Sequence, residues 1–277
     1  MVSQIEIKDL TKKFGNHLVL DNVNLSIPQQ KIFGIIGESG SGKTTLLKSI
    51  VGFWKIDSGD IIFEGRNLSK NEKFIRQIVG FATQDSGVYP KLTVKENLEY
   101  FGSLSNVPKE TLKNNIEKVL KFVELEHAKN ELAENLSGGM QRRLDIACSL
   151  IHNPRILILD EPTEDLDPLL RREIMELIRK INSDSTTVII TSHLLDETEA
   201  LCDEIAILHQ GKVLKTGTPE QLRNSFSKEE EIILELESKK YAGIVNKLKT
   251  HKKKVTSTKI ENGKLVIRAK NAEPVLI

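Results

Sequence analysis

Hydrophobic and polar residues alternate along two early segments of the chain, residues 3–10 and 18–27. A period of two is typical of strands that are buried on one face only. Two other segments, KIFGIIG at 31–37 and ILILD at 156–160, are apolar at nearly every position. Strands that are apolar on both faces and alternate with helices indicate a parallel sheet covered on both sides. The pattern therefore predicts an α/β fold.

The spacing of the remaining apolar residues predicts the other elements. Thr93 followed by Glu96 matches a capping box, which marks a helix start. The segment from about 88 to 150 contains little strand, which indicates a helical subdomain inserted between sheet strands. Helices are expected at 43–51, 93–104, 108–125, 138–150, 168–182 and 194–202, and further strands at 60–64, 79–83, 187–191, 204–208 and 212–216.

The last fifty residues differ from the rest in charge, because residues 228–277 hold an excess of lysine and arginine over acidic residues. Their pattern predicts a strand at 231–237, a helix at 239–250, and strands at 255–260 and 264–269 joined by an Asn262-Gly263 hairpin turn. We therefore expect a main domain at 1–226 and a small α+β extension at 227–277. The final EPVLI resembles the beginning of a helix, which leaves open whether the extension is truncated.

Composition narrows the class of protein. The 277 residues include 40 Lys+Arg and 39 Asp+Glu, which gives a net charge of +1. Proteins that bind nucleic acids usually carry a large positive charge, so this composition does not favour a nucleic-acid partner. No uncharged run approaches the roughly 20 apolar residues of a spanning helix, and the N-terminus does not resemble a signal peptide. Two cysteines, Cys148 and Cys202, make no disulfide framework. We expect a cytoplasmic protein without a transmembrane segment of its own.

The phosphate-binding pattern G-x-x-x-x-G-K-[ST] is present at residues 37–44. It follows the first fully apolar strand and opens a predicted helix, and phosphate binding by this pattern requires that strand–loop–helix context. Glycines let the backbone wrap a phosphate, and the N–H groups at a helix start attract anions. Lys43 is expected to reach the β- and γ-phosphates of ATP, and the Thr44 hydroxyl to ligate Mg²⁺. The expected ATP-binding residues of this loop are Gly37, Glu38, Ser39, Gly40, Ser41, Gly42, Lys43, Thr44 and Thr45.

Two acidic residues, Asp160 and Glu161, end the second apolar strand. Successive residues of a strand point to opposite faces, so the two carboxylates can serve different functions. Asp160 can hold Mg²⁺ through water, while Glu161 can polarise an attacking water. This division suits ATP hydrolysis.

The segment LSGGMQRR at 136–143 opens another predicted helix, which Ser137 can cap while Gly138 and Gly139 expose N–H groups at its positive end. The order of this motif, after the phosphate loop and before ILILDE, resembles the ATP-binding cassette (ABC) ATPase family over about residues 3–217. The resemblance implies a P-loop NTPase core with a mostly parallel sheet, an antiparallel β subdomain and an inserted α-helical subdomain.

The resemblance also assigns roles to further residues. It implies that Phe14 stacks on adenine and that Gln84 senses both the γ-phosphate and Mg²⁺. His193 is expected to contact the γ-phosphate, and Asp167 matches the aspartate of the loop after the acidic strand end. The implied catalytic residues are thus Glu161, His193 and Gln84, and the implied metal ligands are Thr44, Gln84 and Asp160.

The family mechanism needs two ATPase domains arranged head to tail. Ser137–Gly139 of one chain would close over the ATP held by the phosphate loop of the other, in a homodimer or with a paired ATPase subunit. A separate transmembrane permease would dock near residues 86–100 and hold the chain on the cytoplasmic face of the membrane.

Within the family, LSGGMQRR, YPKLTVKENLEYF and the small extension resemble drug, antibiotic and polysaccharide exporters, whereas GESGSGKTT is more typical of import and lipoprotein-release subunits. A soluble ABC ATPase of translation or DNA repair is the alternative.

A lysine-rich set in the extension, Lys239 and Lys240 with Lys252–Lys254, allows two interpretations. It could contact anionic lipid near the permease, or it could be only a solvated face.

The loop after the acidic strand end departs from the family at Glu164 and Asp165, where most members carry a small polar residue followed by a small one. This loop crosses the expected dimer interface near the phosphates of ATP. Two extra negative charges should therefore oppose closure of the ATP-loaded dimer unless nearby basic residues neutralise them. The candidates are Arg142, Arg143, Arg171 and Arg172. The alternative is that both acids face solvent without effect.

We predict that replacing Glu164 by Ser and Asp165 by Gly raises the basal ATP turnover of the isolated subunit, because closure then meets less repulsion. Steady-state phosphate release measures this. Unchanged or reduced turnover would reject the charge hypothesis.

Overall fold

The computed structural model describes residues 3–226, 230–235, 241–249, 255–261 and 264–269. The chain divides into two compact units, Met1–Pro219 and Glu220–Ile277. We describe each unit by itself.

The first unit contains most of the predicted elements. Its strands are β1 (Ser3–Phe14), β2 (His17–Pro28), β3 (Ile32–Ile36), β4 (Ser58–Phe63), β5 (Arg66–Asn67), β6 (Val79–Ala82), β7 (Ile156–Leu159), β8 (Thr187–Ser192), β9 (Glu204–His209) and β10 (Lys212–Gly217). Its helices are α1 (Lys43–Ile50), α2 (Glu72–Ile78), α3 (Val94–Leu104), α4 (Lys109–Phe122), α5 (Gly138–Leu150), α6 (Pro168–Ser183) and α7 (Leu195–Leu201).

A six-stranded sheet forms the centre of this unit, in the order β10-β9-β3-β8-β7-β6. Strands β9, β3, β8, β7 and β6 run parallel to one another, and the edge strand β10 pairs antiparallel to β9. All residues of β3, β7 and β8 are buried, which explains their continuous apolar or uncharged sequences. The prediction of a mostly parallel sheet is confirmed.

A second sheet is antiparallel and four-stranded, in the order β2-β1-β4-β5. Its inward side chains, such as Ile5, Leu20 and Phe63, share one apolar core with Phe33 of the central sheet. Strand β1 continues past the predicted end at residue 10 because Asp9, with φ +50°, shifts the pairing register without ending the strand.

Between β6 and β7 lies the inserted helical subdomain, built from α3, α4 and α5. Helix α4 ends at Phe122, three residues before the predicted end at 125. The helix stops because Glu124 adopts a left-handed backbone with φ +62°, and the Leu125 N–H donates to the Leu120 carbonyl at 2.9 Å. Sequence analysis missed β5, which has two residues, and α2, in which only Ile75 and Ile78 are buried. Neither element has enough apolar residues to show the spacing that identifies a strand or a helix in the sequence.

The second unit contains helices α8 (Pro219–Phe226, starting one residue before the unit) and α9 (Ala242–Lys249) and strands β11 (Glu230–Leu234), β12 (Val255–Glu261) and β13 (Lys264–Ala269). The strands form an antiparallel sheet in the order β11-β13-β12. Tyr241, Leu265 and Ile267 are the centre of its own apolar core. The predicted Asn262-Gly263 turn, the lysines at 239–240 and 252–254, and the final EPVLI lie outside the described residues.

Two further properties bear on the expectations from composition. Within the described ranges, no helix combines the length and the apolar character needed to cross a lipid bilayer. Cys148 and Cys202 are both buried and free. Burial raises the pKa of each thiol, that of Cys202 to about 12, so neither is a reactive thiolate near neutral pH.

We predict that Thr93→Ala lowers the free energy of unfolding by about 1 kcal/mol, because the Thr93 Oγ1 accepts from Glu96 N–H at 3.1 Å and caps α3. Urea denaturation followed by circular dichroism measures the loss. Thr93→Ser keeps the hydroxyl and is the matched control, so an equal loss in both variants would contradict a capping role.

Candidate functional site

A cavity of about 720 Å³ lies at the carboxyl edge of the central sheet. It is formed where α1 begins and where the chain leaves β6, β7 and β8, since loops after parallel strands meet at one edge. Its lining residues are Val19, Glu38, Ser39, Gly40, Gly42, Lys43, Thr44, Thr45, Gln84, Glu161, Glu164 and His193. Most of the residues predicted from the phosphate loop therefore share this cavity with Gln84 and His193, which were predicted to act at the γ-phosphate.

The loop between β3 and α1 has a backbone that requires glycine. Gly40 and Gly42 have φ of +79° and +105°, and Gly42 immediately precedes α1. At Gly37 an added Cβ would collide with the Leu208 carbonyl and lie 2.5 Å from the Ser41 Oγ. This path leaves the first N–H groups of α1 at the cavity, which favours an anion there.

Lys43 is 7% exposed and has partners for all three ammonium protons. Its Nζ lies 2.8 Å from the Gly37 carbonyl, 3.2 Å from the Glu38 carbonyl and 3.2 Å from the Glu161 Oε1. The loop carbonyls and the carboxylate together hold this cation at the wall of the cavity.

Glu161 links the lysine to His193. Its Oε2 lies 3.1 Å from the His193 Nδ1, and its backbone has a φ of +49°. A left-handed backbone at a residue other than glycine is strained and persists only where surrounding contacts enforce it. One such contact is the Glu161 N–H, which donates to the Thr191 Oγ1 at 2.9 Å. The strain and the two side-chain contacts direct this carboxylate into the cavity.

Asp160 directly precedes Glu161 in the chain and is 1% exposed. Its Oδ1 accepts from the Thr191 Oγ1 at 2.6 Å, while its Oδ2 is buried and has no hydrogen-bond partner. A buried carboxylate oxygen without a protein donor is uncommon, and an ordered water or a cation can satisfy it. Thr191 was not identified from the sequence, because a threonine in a buried strand gives no signal by itself.

Glu164 also faces the cavity, whereas the neighbouring Asp165 is exposed. The Glu164 Oε2 accepts a hydrogen bond from the Gln84 Nε2 at 2.6 Å. The two acids that depart from the family pattern therefore occupy different surroundings, and only Glu164 contacts a predicted site residue.

Arg142 is a structural link between α5 and the strand ends. Its guanidinium donates to the Pro162 carbonyl at 2.9 Å, the Thr83 carbonyl at 3.1 Å and the Glu161 carbonyl at 2.6 Å. It also pairs with Asp145 at 3.3 Å. Burial raises the pKa of Asp145, and the arginine charge opposes that rise. The helical subdomain is thereby tied to the loops that carry the cavity residues.

The arginines considered as counter-charges for the acidic loop have other partners. Arg143 pairs with Glu124 and Glu173, and Arg171 pairs with Glu197. Within the described part of the chain, no ion pair joins any of these arginines, or Arg172, to Glu164 or Asp165.

The predicted motif at the start of α5 lies apart from this cavity. The Ser137 Oγ accepts from Met140 N–H at 3.3 Å and caps the helix as expected. Gly138 is exposed with nothing within 4 Å of an added Cβ, whereas a Cβ at Gly139 would lie 2.7 Å from the Leu170 Cδ2. Asp167 caps α6, accepting from Leu169 N–H at 2.8 Å and Leu170 N–H at 3.0 Å. None of these residues is among those that line the cavity.

Phe14 ends β1 and is also not among the lining residues. Its ring packs edge-to-face on Trp54 with centroids 5.2 Å apart, and the Lys12 Nζ lies 4.8 Å from its centroid. The ring remains 39% exposed. Its expected role in stacking on adenine stays a prediction.

Comparison with known proteins decides the family. The family described as ABC transporter matches residues 20–164 of this chain. The chain belongs to the ABC transporter family. It is 39% identical to the bacitracin transport ATP-binding protein BcrA of Bacillus licheniformis, over 78% of this chain and 70% of BcrA. It is 34% identical to the Nod factor export ATP-binding protein I of Ralstonia nicotianae, over 79% of this chain and 68% of that protein.

A solved ABC structure is similar to the chain in its fold. The ATP-binding cassette MJ0796, in a dimeric post-hydrolysis state bound to ADP and Pi, has a TM-score of 0.69 and 31% identity, over 78% of this chain and 98% of that chain. The predicted ABC ATPase fold is confirmed, and the chain is an ATP-binding, ATP-hydrolysing ABC subunit.

We predict that Thr191→Val lowers both ATP turnover and stability, because the hydroxyl joins the Asp160 carboxylate to the Glu161 backbone. Loss of two buried hydrogen bonds at nearly constant shape should reduce the free energy of unfolding by about 1–3 kcal/mol. Urea denaturation and phosphate release measure the two effects. Thr191→Ser keeps the hydroxyl, so a loss of turnover as large in the serine variant would contradict this role.

Proposed function

We propose that this chain is the energy-coupling subunit of a membrane exporter, and that it hydrolyses magnesium-bound ATP as one half of a head-to-tail pair. The observation that carries the proposal is the convergence of Lys43, Glu161 and His193 in one cavity, linked by contacts of 3.1 and 3.2 Å. Phosphoryl transfer to water needs a cation that binds the phosphates, a group that accepts a proton from the attacking water, and polar groups that position them. Lys43, Glu161 and His193 would serve these functions in that order.

Magnesium fits the oxygen atoms of this site. The proposed ligands are the Thr44 hydroxyl, the Gln84 Oε1 and, through water, the unpartnered Asp160 Oδ2. No three His, Cys, Asp or Glu side chains form a metal-binding group anywhere in the described residues. A site with few protein ligands suits Mg²⁺, which keeps waters and substrate phosphates in its coordination shell. When bound, the cation neutralises charge on the β- and γ-phosphate oxygens.

Hydrolysis would proceed on the far side of the γ-phosphate from ADP. Glu161 accepts a proton from water as the water oxygen bonds to the γ-phosphorus, and the bond from that phosphorus to the bridging oxygen breaks to release ADP. Lys43 holds the phosphates, and the His193 ring holds Glu161 through the Oε2. The loop N–H groups at α1 stabilise the charge without moving.

A second chain would complete the site. Ser137 and Gly138 are exposed at the positive end of α5 but do not line the cavity of their own chain. Gly138 has open space where a side chain would be, so the fold of one chain does not explain a glycine there. Close approach of the phosphates held by a partner would explain it, in a homodimer or with a related subunit. The dimeric state of the MJ0796 cassette supports this arrangement.

A separate permease would dock beside Gln84. Tyr89 and Tyr100 are 45% and 42% exposed and pack with ring centroids 4.8 Å apart. The buried Asn97 holds this loop, accepting from Tyr89 N–H at 2.8 Å and donating to the Tyr89 carbonyl at 3.1 Å. The exposed aromatic surface is thus held to α3 and lies on the chain segment that follows Gln84. This surface would hold the subunit on the cytoplasmic face of the membrane.

The direction of transport comes from the relatives. The two described above are named for bacitracin transport and Nod factor export, and neither is named for translation or DNA repair. Export of a substrate recognised by the permease is therefore the proposed outcome of the ATP cycle.

We predict that Glu161→Gln protein forms a stable dimer when ATP and Mg²⁺ are added, because the amide cannot accept the proton from water and the closed pair persists. Size-exclusion chromatography with light scattering measures the mass. The wild type with ADP should remain monomeric.

A second substitution, Gly138→Asp in the Glu161→Gln chain, should abolish this dimer without reducing monomer stability, since it places a negative charge in open space at the helix tip. A monomer at every concentration of Glu161→Gln protein with ATP would overturn the proposed pair.

A further inference from the structure

The contact between Glu164 and Gln84 joins two loops that are eighty residues apart in the chain. Glu164 is half-buried at the cavity wall, and the described residues give its carboxylate no cationic partner. Among the residues that the structure describes, its side-chain hydrogen-bond partner is Gln84, at 2.6 Å.

This contact determines which end of the Gln84 amide is free. An ionised carboxylate can only accept hydrogen bonds, so the atom that lies 2.6 Å from the Glu164 Oε2 must be the amide nitrogen. With the nitrogen held there, the Oε1 is the end that remains available. An oxygen, and not an NH₂ group, is what a hard divalent cation requires.

The Glu164 loop is itself held in place. Glu164 N–H donates to the Glu161 carbonyl at 3.2 Å, and the Arg171 Nε donates to the Leu166 carbonyl at 2.8 Å. Glu197 accepts from both the Thr163 hydroxyl and the Arg171 guanidinium. Because the turn is anchored on each side, Glu164 can restrain a glutamine that is otherwise exposed.

We propose that Glu164 is a positioning residue for magnesium, which acts by orienting Gln84 with its oxygen toward the cation. The inference rests on the proposed magnesium site and adds a residue to it. Glu164 does not touch the cation, and its effect passes through the amide. Its removal is therefore expected to weaken magnesium-dependent nucleotide binding, whereas the charge hypothesis for the same loop expects its removal to favour closure and raise turnover.

The test compares the affinity of the full chain for a non-hydrolysable ATP analogue in Mg²⁺ and in EDTA, by isothermal titration calorimetry. The ratio of the two affinities measures how strongly magnesium supports nucleotide binding. Loss of a hydrogen bond that orients a metal ligand typically weakens the metal interaction by about tenfold or more. Glu164→Ala should therefore reduce the ratio about tenfold, with the affinity in EDTA unchanged.

Two variants separate orientation from charge. Glu164→Gln removes the charge and keeps an oxygen that can accept from the Gln84 Nε2, but its NH₂ group can also donate to the Gln84 Oε1, so it should retain only part of the ratio. Asp165→Asn removes an adjacent exposed charge that does not contact Gln84, so it should leave the ratio unchanged. A loss in Asp165→Asn equal to that in Glu164→Ala would show that the charge of the loop acts and not the contact with Gln84, and would overturn the proposal.

A double-mutant cycle tests the path through the glutamine. In a Gln84→Ala chain, adding Glu164→Ala should produce no further change in the ratio. A further reduction there, or an unchanged ratio in the single Glu164→Ala variant, would also overturn the proposal. If the wild type itself bound the analogue equally in Mg²⁺ and EDTA, the proposed magnesium site would fail and this inference with it, a result distinct from failure of Glu164 alone.

Discussion

The buried ion pair between Lys43 and Glu161 is the interaction on which the site depends. The two side chains are 7% and 9% exposed, so neither charge is hydrated well enough to be stable alone. Carbonyls of the phosphate loop accept hydrogen bonds from the lysine ammonium group. His193 and the left-handed backbone of Glu161 hold the carboxylate toward the cavity. In the proposed mechanism, binding of a triphosphate to this lysine would change the environment of Glu161, the proposed general base, because the two side chains are in contact.

The parallel sheet is what brings these groups together. Strands β3, β7 and β8 are neighbours with aligned carboxyl ends, so the residues that follow them meet although they are distant in the chain. Arg142, in the second turn of α5, then ties this helix to the segments that follow β6 and β7 through backbone carbonyls. As a result, α5 is connected by hydrogen bonds to the loops that carry the cavity residues, although its capped start does not line the cavity.

Several features could be predicted from the sequence because they depend on local patterns. The phosphate loop, the acidic strand end and the capped start of α5 each combine distinctive residues at fixed spacing next to a periodic element. Their order indicated the family, and the continuously apolar strands that alternate with helices indicated the parallel sheet. Element ends were less predictable, as at Glu124, because a left-handed residue other than glycine leaves no pattern in the apolar spacing.

The sequence by itself thus determined which chemical groups are present and the elements that carry them, since side-chain chemistry and periodicity are local properties. Only the tertiary structure decided their partners. Thr191 lies beside Asp160, and Glu164 reaches Gln84 while Asp165 faces solvent, because strand register and the path of a turn set side-chain direction. Such contacts span thirty to eighty residues of chain, and packing of the whole sheet is needed to create them.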